Sequence, residues 1–153
     1  MLDNDPAFVK LYWFLAYSRA MRGNWSGAVD AAECALRHFP EDPVTLGNTA
    51  GVHAWSGNAA RAAELRSKLE FLAQIRYVPN TALAFAYNVP GAEEAYYNFM
   101  HKAIAERDPM VRALRVMRRF LPVASDPRFD VLLEKVGLSD HHVAQAAAID
   151  LAG

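Results

Sequence analysis

Apolar residues recur along the chain with a helical period. From Phe8 to Met21 they fall at positions 8, 11, 12, 15 and 16, and from Ala28 to Leu36 at 28, 29, 32, 35 and 36. The same reading predicts a second pair of helices from about Val44 to Trp55 and Ala59 to Ile75. A third pair follows from about Thr81 to Tyr87 and Ala92 to Ala105. Asp5-Pro6, Asp42-Pro43 and Asp108-Pro109 mark helix starts, each an aspartate cap followed by proline at the first helical position. Beyond Pro109, a helix is expected from Met110 to Leu121, stopped by Pro122. A short one over Arg128 to Val136 is closed by Gly137, and a last one over His141 to Leu151 is capped by Ser139-Asp140.

These segments repeat. Gly23, Gly57 and Gly91 are each 34 residues apart, and so are Ala16, Ala50 and Ala84. Leu15 and Leu83 match with Thr49 between them, Ala35 and Ala103 with Leu69 between them, and Ala28 recurs as Ala62. Gly23-Asn24 returns as Gly57-Asn58. Small residues on facing helices allow close approach, and glycine takes the left-handed turn between them without steric cost.

A helix-turn-helix unit of 34 residues resembles the tetratricopeptide family. Leu15-Ala16 stands for the family's small-residue pair on the first helix and Gly23-Asn24-Trp25 for its turn. Ala28 stands for the inter-helix alanine, Ala35-Leu36 for the second-helix pair, and Pro40 for the terminal proline. Repeat two departs at Thr49, Leu69-Glu70 and Gln74, and repeat three at Tyr96 and Pro90; the resemblance covers roughly residues 5–108. Asp126-Pro127-Arg128-Phe129 with Leu132-Leu133 and Val136-Gly137-Leu138 is similar to the closing segment of such arrays in bacterial multidomain proteins. There the arrays often follow a cyclase or winged-helix domain. The resemblance implies one all-α domain over 1–153: an α-α superhelix (solenoid) of about three hairpins at 9–42, 43–76 and 77–110, with C-terminal capping helices over 111–153. A terminal helix of that kind covers the exposed end of an array.

In that family the first helices of successive repeats line a concave face, which implies a protein-interaction adaptor or regulatory module. The positions facing it here are Lys10, Trp13, Tyr17 and Met21, then Gly47, Gly51 and Trp55, then Phe85, with Val44, Val78 and Thr81 beside them. Two glycines one turn apart inside a helix cost about 1 kcal/mol each relative to alanine. A guest peptide or helix packed on the bared backbone offsets that cost, with Trp13, Tyr17 and Trp55 as anchors. Close helix packing, or the chain's own C-terminal helix lying in the groove, accounts for the glycines as well. The paired lysines and asparagines that clamp a peptide carboxylate in chaperone-binding members are missing, so chaperone-tail binding is not expected. The alternative reading is a regulatory or oligomerisation domain of a bacterial transcription regulator or cyclase-type signalling protein. An incomplete array also leaves an apolar end that a homodimer would cover.

Composition narrows the function further. The net charge is −1 with 16 basic and 17 acidic residues, so no overall charge draws the chain to nucleic acid or a membrane surface. Arg112, Arg115, Arg118 and Arg119 make a basic stripe at helical spacing, a candidate for an acidic partner or simply a solvated face. One cysteine, Cys34, sets among alanines as a small hydrophobe. No apolar stretch approaches the ~18–20 residues of a membrane span, and the acidic start is unlike a secretory leader, so a cytoplasmic protein is expected. Asp140-His141-His142 lacks the spacing and the further ligands of a metal site, and no nucleotide loop or nucleophile motif occurs. An enzyme, a cofactor and a metal are therefore not expected.

Overall fold

The computed structural model describes residues 6–118 and 121–150, and among them every regular element is helical. Three helical hairpins come in series: α1 (Pro6–Met21) with α2 (Trp25–His38), α3 (Pro43–Trp55) with α4 (Ala59–Ile75), and α5 (Asn80–Ala86) with α6 (Glu93–Ala105). Besides its hairpin partner, each odd-numbered helix packs on the next odd one (α1 on α3, α3 on α5), and α2 and α4 pack on the odd helix that follows them. A 3-10 turn (Pro109–Ala113), α7 (Leu114–Met117), a second 3-10 turn (Pro122–Ser125), α8 (Arg128–Lys135) and α9 (Asp140–Asp150) complete the order.

The first two turns are copies at the level of single hydrogen bonds. Gly23 sits at φ +74° and Gly57 at +89°. The Gly23 N–H donates to Ala20 O and the Asn24 N–H to Arg19 O; in the second turn Gly57 donates to Ala54 O and Asn58 to His53 O. Every atom pair recurs 34 residues on. The asparagine then caps the next helix, Asn24 Oδ1 accepting from Gly27 N at 2.9 Å and Asn58 Oδ1 from Arg61 N at 3.2 Å. Gly91 also takes a positive φ, +83°, between α5 and α6, but in a different bond pattern. Pro90 has no N–H to give and α5 has already ended at Ala86, so the turn closes by Ala92 N to Val89 O.

Burial follows the repeated columns. Ala16, Ala50 and Ala84 are buried, as are Ala28, Ala62 and Tyr96, and Ala35, Leu69 and Ala103. The column Leu15, Thr49, Leu83 behaves otherwise: Thr49 is buried and bonds Ala32 O, while Leu15 is 40% exposed. α3 lies deepest, with every residue from Thr45 to His53 buried between α1, α2, α4 and α5. Asp42 caps it, taking the Thr45 N–H at 2.7 Å. Asp108 caps the 3-10 turn through Met110 N at 2.9 Å and ties it to α5 through the Thr81 hydroxyl at 2.6 Å.

The helix expected over Met110 to Leu121 is replaced by the 3-10 turn and the single turn of α7. The buried apolar residues there are Val111, Leu114 and Met117, spaced by three; residues three apart eclipse in the 3-10 turn that carries Val111, and the single α-turn that follows carries Leu114 and Met117.

Candidate functional site

Between α1 on one side and residues 110–117 on the other lies an open cavity of about 210 Å³, with Asn48 of α3 at its base. Its walls are Lys10, Trp13, Phe14 and Tyr17 from α1, and Met110, Ala113, Val116 and Met117 opposite. Of these, Phe14 is 46% and Val116 58% exposed, so the apolar walls reach the surface. For scale, an engineered apolar cavity of about 150 Å³ takes a benzene ring. The space therefore suits one bulky side chain and not a whole helix.

The base is held by a polar pair. The Tyr17 hydroxyl donates to Asn48 Oδ1, and Asn48 Nδ2 donates to Val44 O at 3.0 Å. Burial pushes the Tyr17 phenol above its ordinary range, so it stays a donor at any working pH. Trp13 Nε1 is also buried and meets no acceptor among the described residues. The lining contains no carboxylate, histidine, serine or cysteine. Its one charged group is Lys10.

The residues expected from the sequence to share one concave face are divided by the structure. Lys10, Trp13 and Tyr17 line this cavity together. Met21, 57% exposed at the end of α1, does not. Gly47 and Gly51 are not open to a guest: a Cβ on Gly47 would stand 2.2 Å from Ala82 O, and one on Gly51 2.9 Å from Phe85 O. The space those glycines leave is filled by the backbone of α5. Phe85 is itself core, 1% exposed. Trp55 borders a separate narrow crevice with Tyr17, Trp25 and Gly51, its Nε1 donating to Asn88 O at 2.5 Å. Val78 and Thr81 are likewise buried.

Sequence reading missed Phe14, Asn48, Met110, Ala113, Val116 and Met117. A signal existed in the three-residue spacing of Met110, Ala113 and Val116, hidden because the arginines of the same segment share that spacing. Those arginines do not form a free basic face. Arg115 pairs with Asp140 at 2.8 Å and donates to Leu138 O at 2.9 Å, while Arg118 pairs with Asp130 at 2.8 Å, so both tie α7 to the following elements. Arg112 is exposed and has no ion pair among the described residues; Arg119 lies outside them.

A second polar cluster holds the first two hairpins together. Glu33 of α2 accepts from His53 Nε2 at 2.8 Å and from Arg61 Nε at 3.0 Å, and Arg61 reaches Glu64 at 2.8 Å. Burial pulls the Glu33 carboxyl up, but the bonds from Arg61 and His53 outweigh it and hold it below its usual value. His53 Nδ1 is buried without a partner among the described residues. No nucleophilic side chain joins these three among the described residues, and the bonds of Glu33 to His53 and Arg61 bridge α2 to α3 and α4, so we read the cluster as a clasp. No described helix is long and apolar enough to cross a membrane. Comparison with known proteins returns no matching family model, no matching curated sequence and no matching solved structure.

Proposed function

We propose that the chain is a protein-interaction adaptor or regulatory module of tetratricopeptide-like build, holding a segment of a partner protein in the cavity between α1 and residues 110–117. Three serial hairpins and the shared bond pattern at Gly23 and Gly57 support the architecture. The observation that carries the binding reading is the open apolar cavity itself, with Phe14 and Val116 left exposed at its walls. An apolar concavity that the fold does not fill is where a bulky side chain of a partner gains most by leaving water. A lining without any acid, base or nucleophile beyond Lys10 and Tyr17 favours binding over catalysis.

The test is affinity capture with the wild type beside Ala113→Trp, which fills the cavity from its wall, and Trp13→Ala, which removes an anchor. The expected result is loss of the main captured protein in both, with helical circular dichroism unchanged. Equal capture by all three, each folded, would refute the reading.

A second reading rests on α1. Leu11 (62% exposed) and Leu15 (40%) make an apolar strip beside Phe14 on the outer face of the first helix. That strip supports contact with a neighbouring domain or a second copy, as in a regulatory module of a larger signalling protein. Sedimentation equilibrium of the wild type and Leu11→Lys/Leu15→Lys separates the cases: a dimer that the variant dissolves favours self-association.

A further inference from the structure

The charge around the cavity is uneven in a way that the net charge of the chain conceals. Acidic residues number 17 in 153, yet none occurs in α1, in α3 or in residues 109–118, the three stretches that build the site. The same stretches carry Lys10, Arg19, Arg112, Arg115 and Arg118. Arg115 and Arg118 are neutralised by Asp140 and Asp130. Arg19 donates to Gly27 O at 2.8 Å, a carbonyl that leaves its charge standing. Lys10 and Arg112 have no ion pair among the described residues, and Lys10 is in the cavity wall. The carboxylates that directly precede α3 and residues 109–118, Asp42 and Asp108, accept only from neutral donors among the described residues, so their charges stand as well; Asp5, before α1, lies outside the described residues. A partner therefore meets an apolar slot whose one charged lining group is the unpaired Lys10, and water-excluding walls strengthen the field of that ammonium.

We propose that the occupant is an acidic peptide segment of a partner protein, inserting one bulky apolar side chain between α1 and residues 110–117 and setting a carboxylate against Lys10. This rests on the groove reading above and narrows it. Cavity size limits the anchor to one aromatic or leucine-sized group. Lys10 in the wall selects for Asp or Glu within about one helical turn of that anchor. A nucleic acid fits poorly, since the walls present Trp13, Phe14, Val116 and methionines with only one free cation among them.

The experiment is selection of random 12-residue peptides displayed on phage against the full chain. The enriched peptides are then synthesised with a fluorophore and titrated against the wild type, Lys10→Glu and Ala113→Trp. Expected are peptides with Trp, Phe or Leu and an acidic residue within four positions. Their binding should be abolished by Ala113→Trp and weakened about tenfold by Lys10→Glu, with an affinity that falls as salt rises. Selection repeated on Lys10→Glu should return basic residues in place of the acidic ones. If Ala113→Trp does not fold, Val116→Arg at the exposed wall serves instead. Apolar peptides without acidic enrichment, or equal affinity for Lys10→Glu, would overturn the acidic partner and leave the groove standing. Peptides indifferent to the cavity-filling variant, or no enriched peptide at all, would overturn the groove itself.

Discussion

Gly47→Ala should destabilise the protein by about 2 kcal/mol, against the usual sign for a helical glycine. In an exposed helix, alanine for glycine gains about 1 kcal/mol. Here the new methyl would stand 2.2 Å from Ala82 O and 3.0 Å from Ala82 C, whereas ordinary contact begins at 3.4 Å. Both atoms are backbone, so no side chain can swing away, and α3 and α5 must part by about 1 Å. A gap of that size forfeits a quarter to half of each pairwise attraction it opens. The residues lining that seam, Leu46, Ala50, Ala82 and Ala86, are all buried. Overpacking of this kind costs about 1–3 kcal/mol, with little relief from a rigid neighbour. Urea unfolding followed by far-ultraviolet circular dichroism reads the effect as a lower midpoint at unchanged slope, and heating as a fall of roughly 6 °C. Gly51→Ala, at 2.9 Å from Phe85 O, should lose less. A Gly47→Ala protein as stable as the wild type, or more so, would refute the packing of α5 on α3 and restore the bared-helix groove.

Three further outcomes follow from individual contacts. Arg107 holds φ +57° at the end of α6, where Asp108 N bonds Ala103 O in the pattern that Gly23 and Gly57 serve elsewhere. Arg107→Gly should therefore raise the thermal midpoint, by up to about 1 kcal/mol of relieved backbone strain. Asp108→Ala removes acceptors from Thr81 and Met110 and should cost about 1–2 kcal/mol in urea unfolding. Glu33 titrates below its unfolded value of about 4.3. The unfolded chain therefore takes up that proton first, so the contribution of Glu33 is complete above about pH 5 and is lost as pH falls through the folded value. Glu33→Gln should cost about 1–3 kcal/mol near neutrality and flatten the acid limb of a stability–pH curve; an unchanged limb would count against the clasp.

The fold was legible where a residue has only one physical use. Gly23-Asn24 and Gly57-Asn58 each combine a left-handed turn residue with a side-chain cap, and the structure uses both in one bond pattern. Eight of the nine expected helices match described elements to within a few residues. The site was less legible because its residues have two uses. Gly47 suits an open groove floor or a close helix approach equally well from sequence, and only the position of Ala82 decides. Trp55 and Phe85 were expected on the concave face, and are drawn from it by Asn88 O and by the core. Residues 110–117 were read through their arginines. The apolar spacing of three that defines both the 3-10 turn and the cavity wall was legible only once those arginines found partners in α8 and α9.

One difference between helices explains why the site sits at the first hairpin. α2 sorts its residues, burying Ala28, Ala31, Ala32, Ala35 and Leu36 and leaving Asp30 and Arg37 to solvent. α1 does not sort: it buries Ala16 and Tyr17 yet also carries Leu11, Phe14 and Leu15 at the surface. A helix apolar on every side is normally enclosed by its own protein. α3 is enclosed in that way, by helices before and after it, whereas α1 has none before it among the described residues and is faced on one side by residues 110–117 across an open gap. The exposed apolar area on α1 adds nothing to the stability of this fold that a polar face would not. In the binding proposed above, association would let such a surface recover free energy, and a lining whose one charged group is Lys10 would make that association selective for charge.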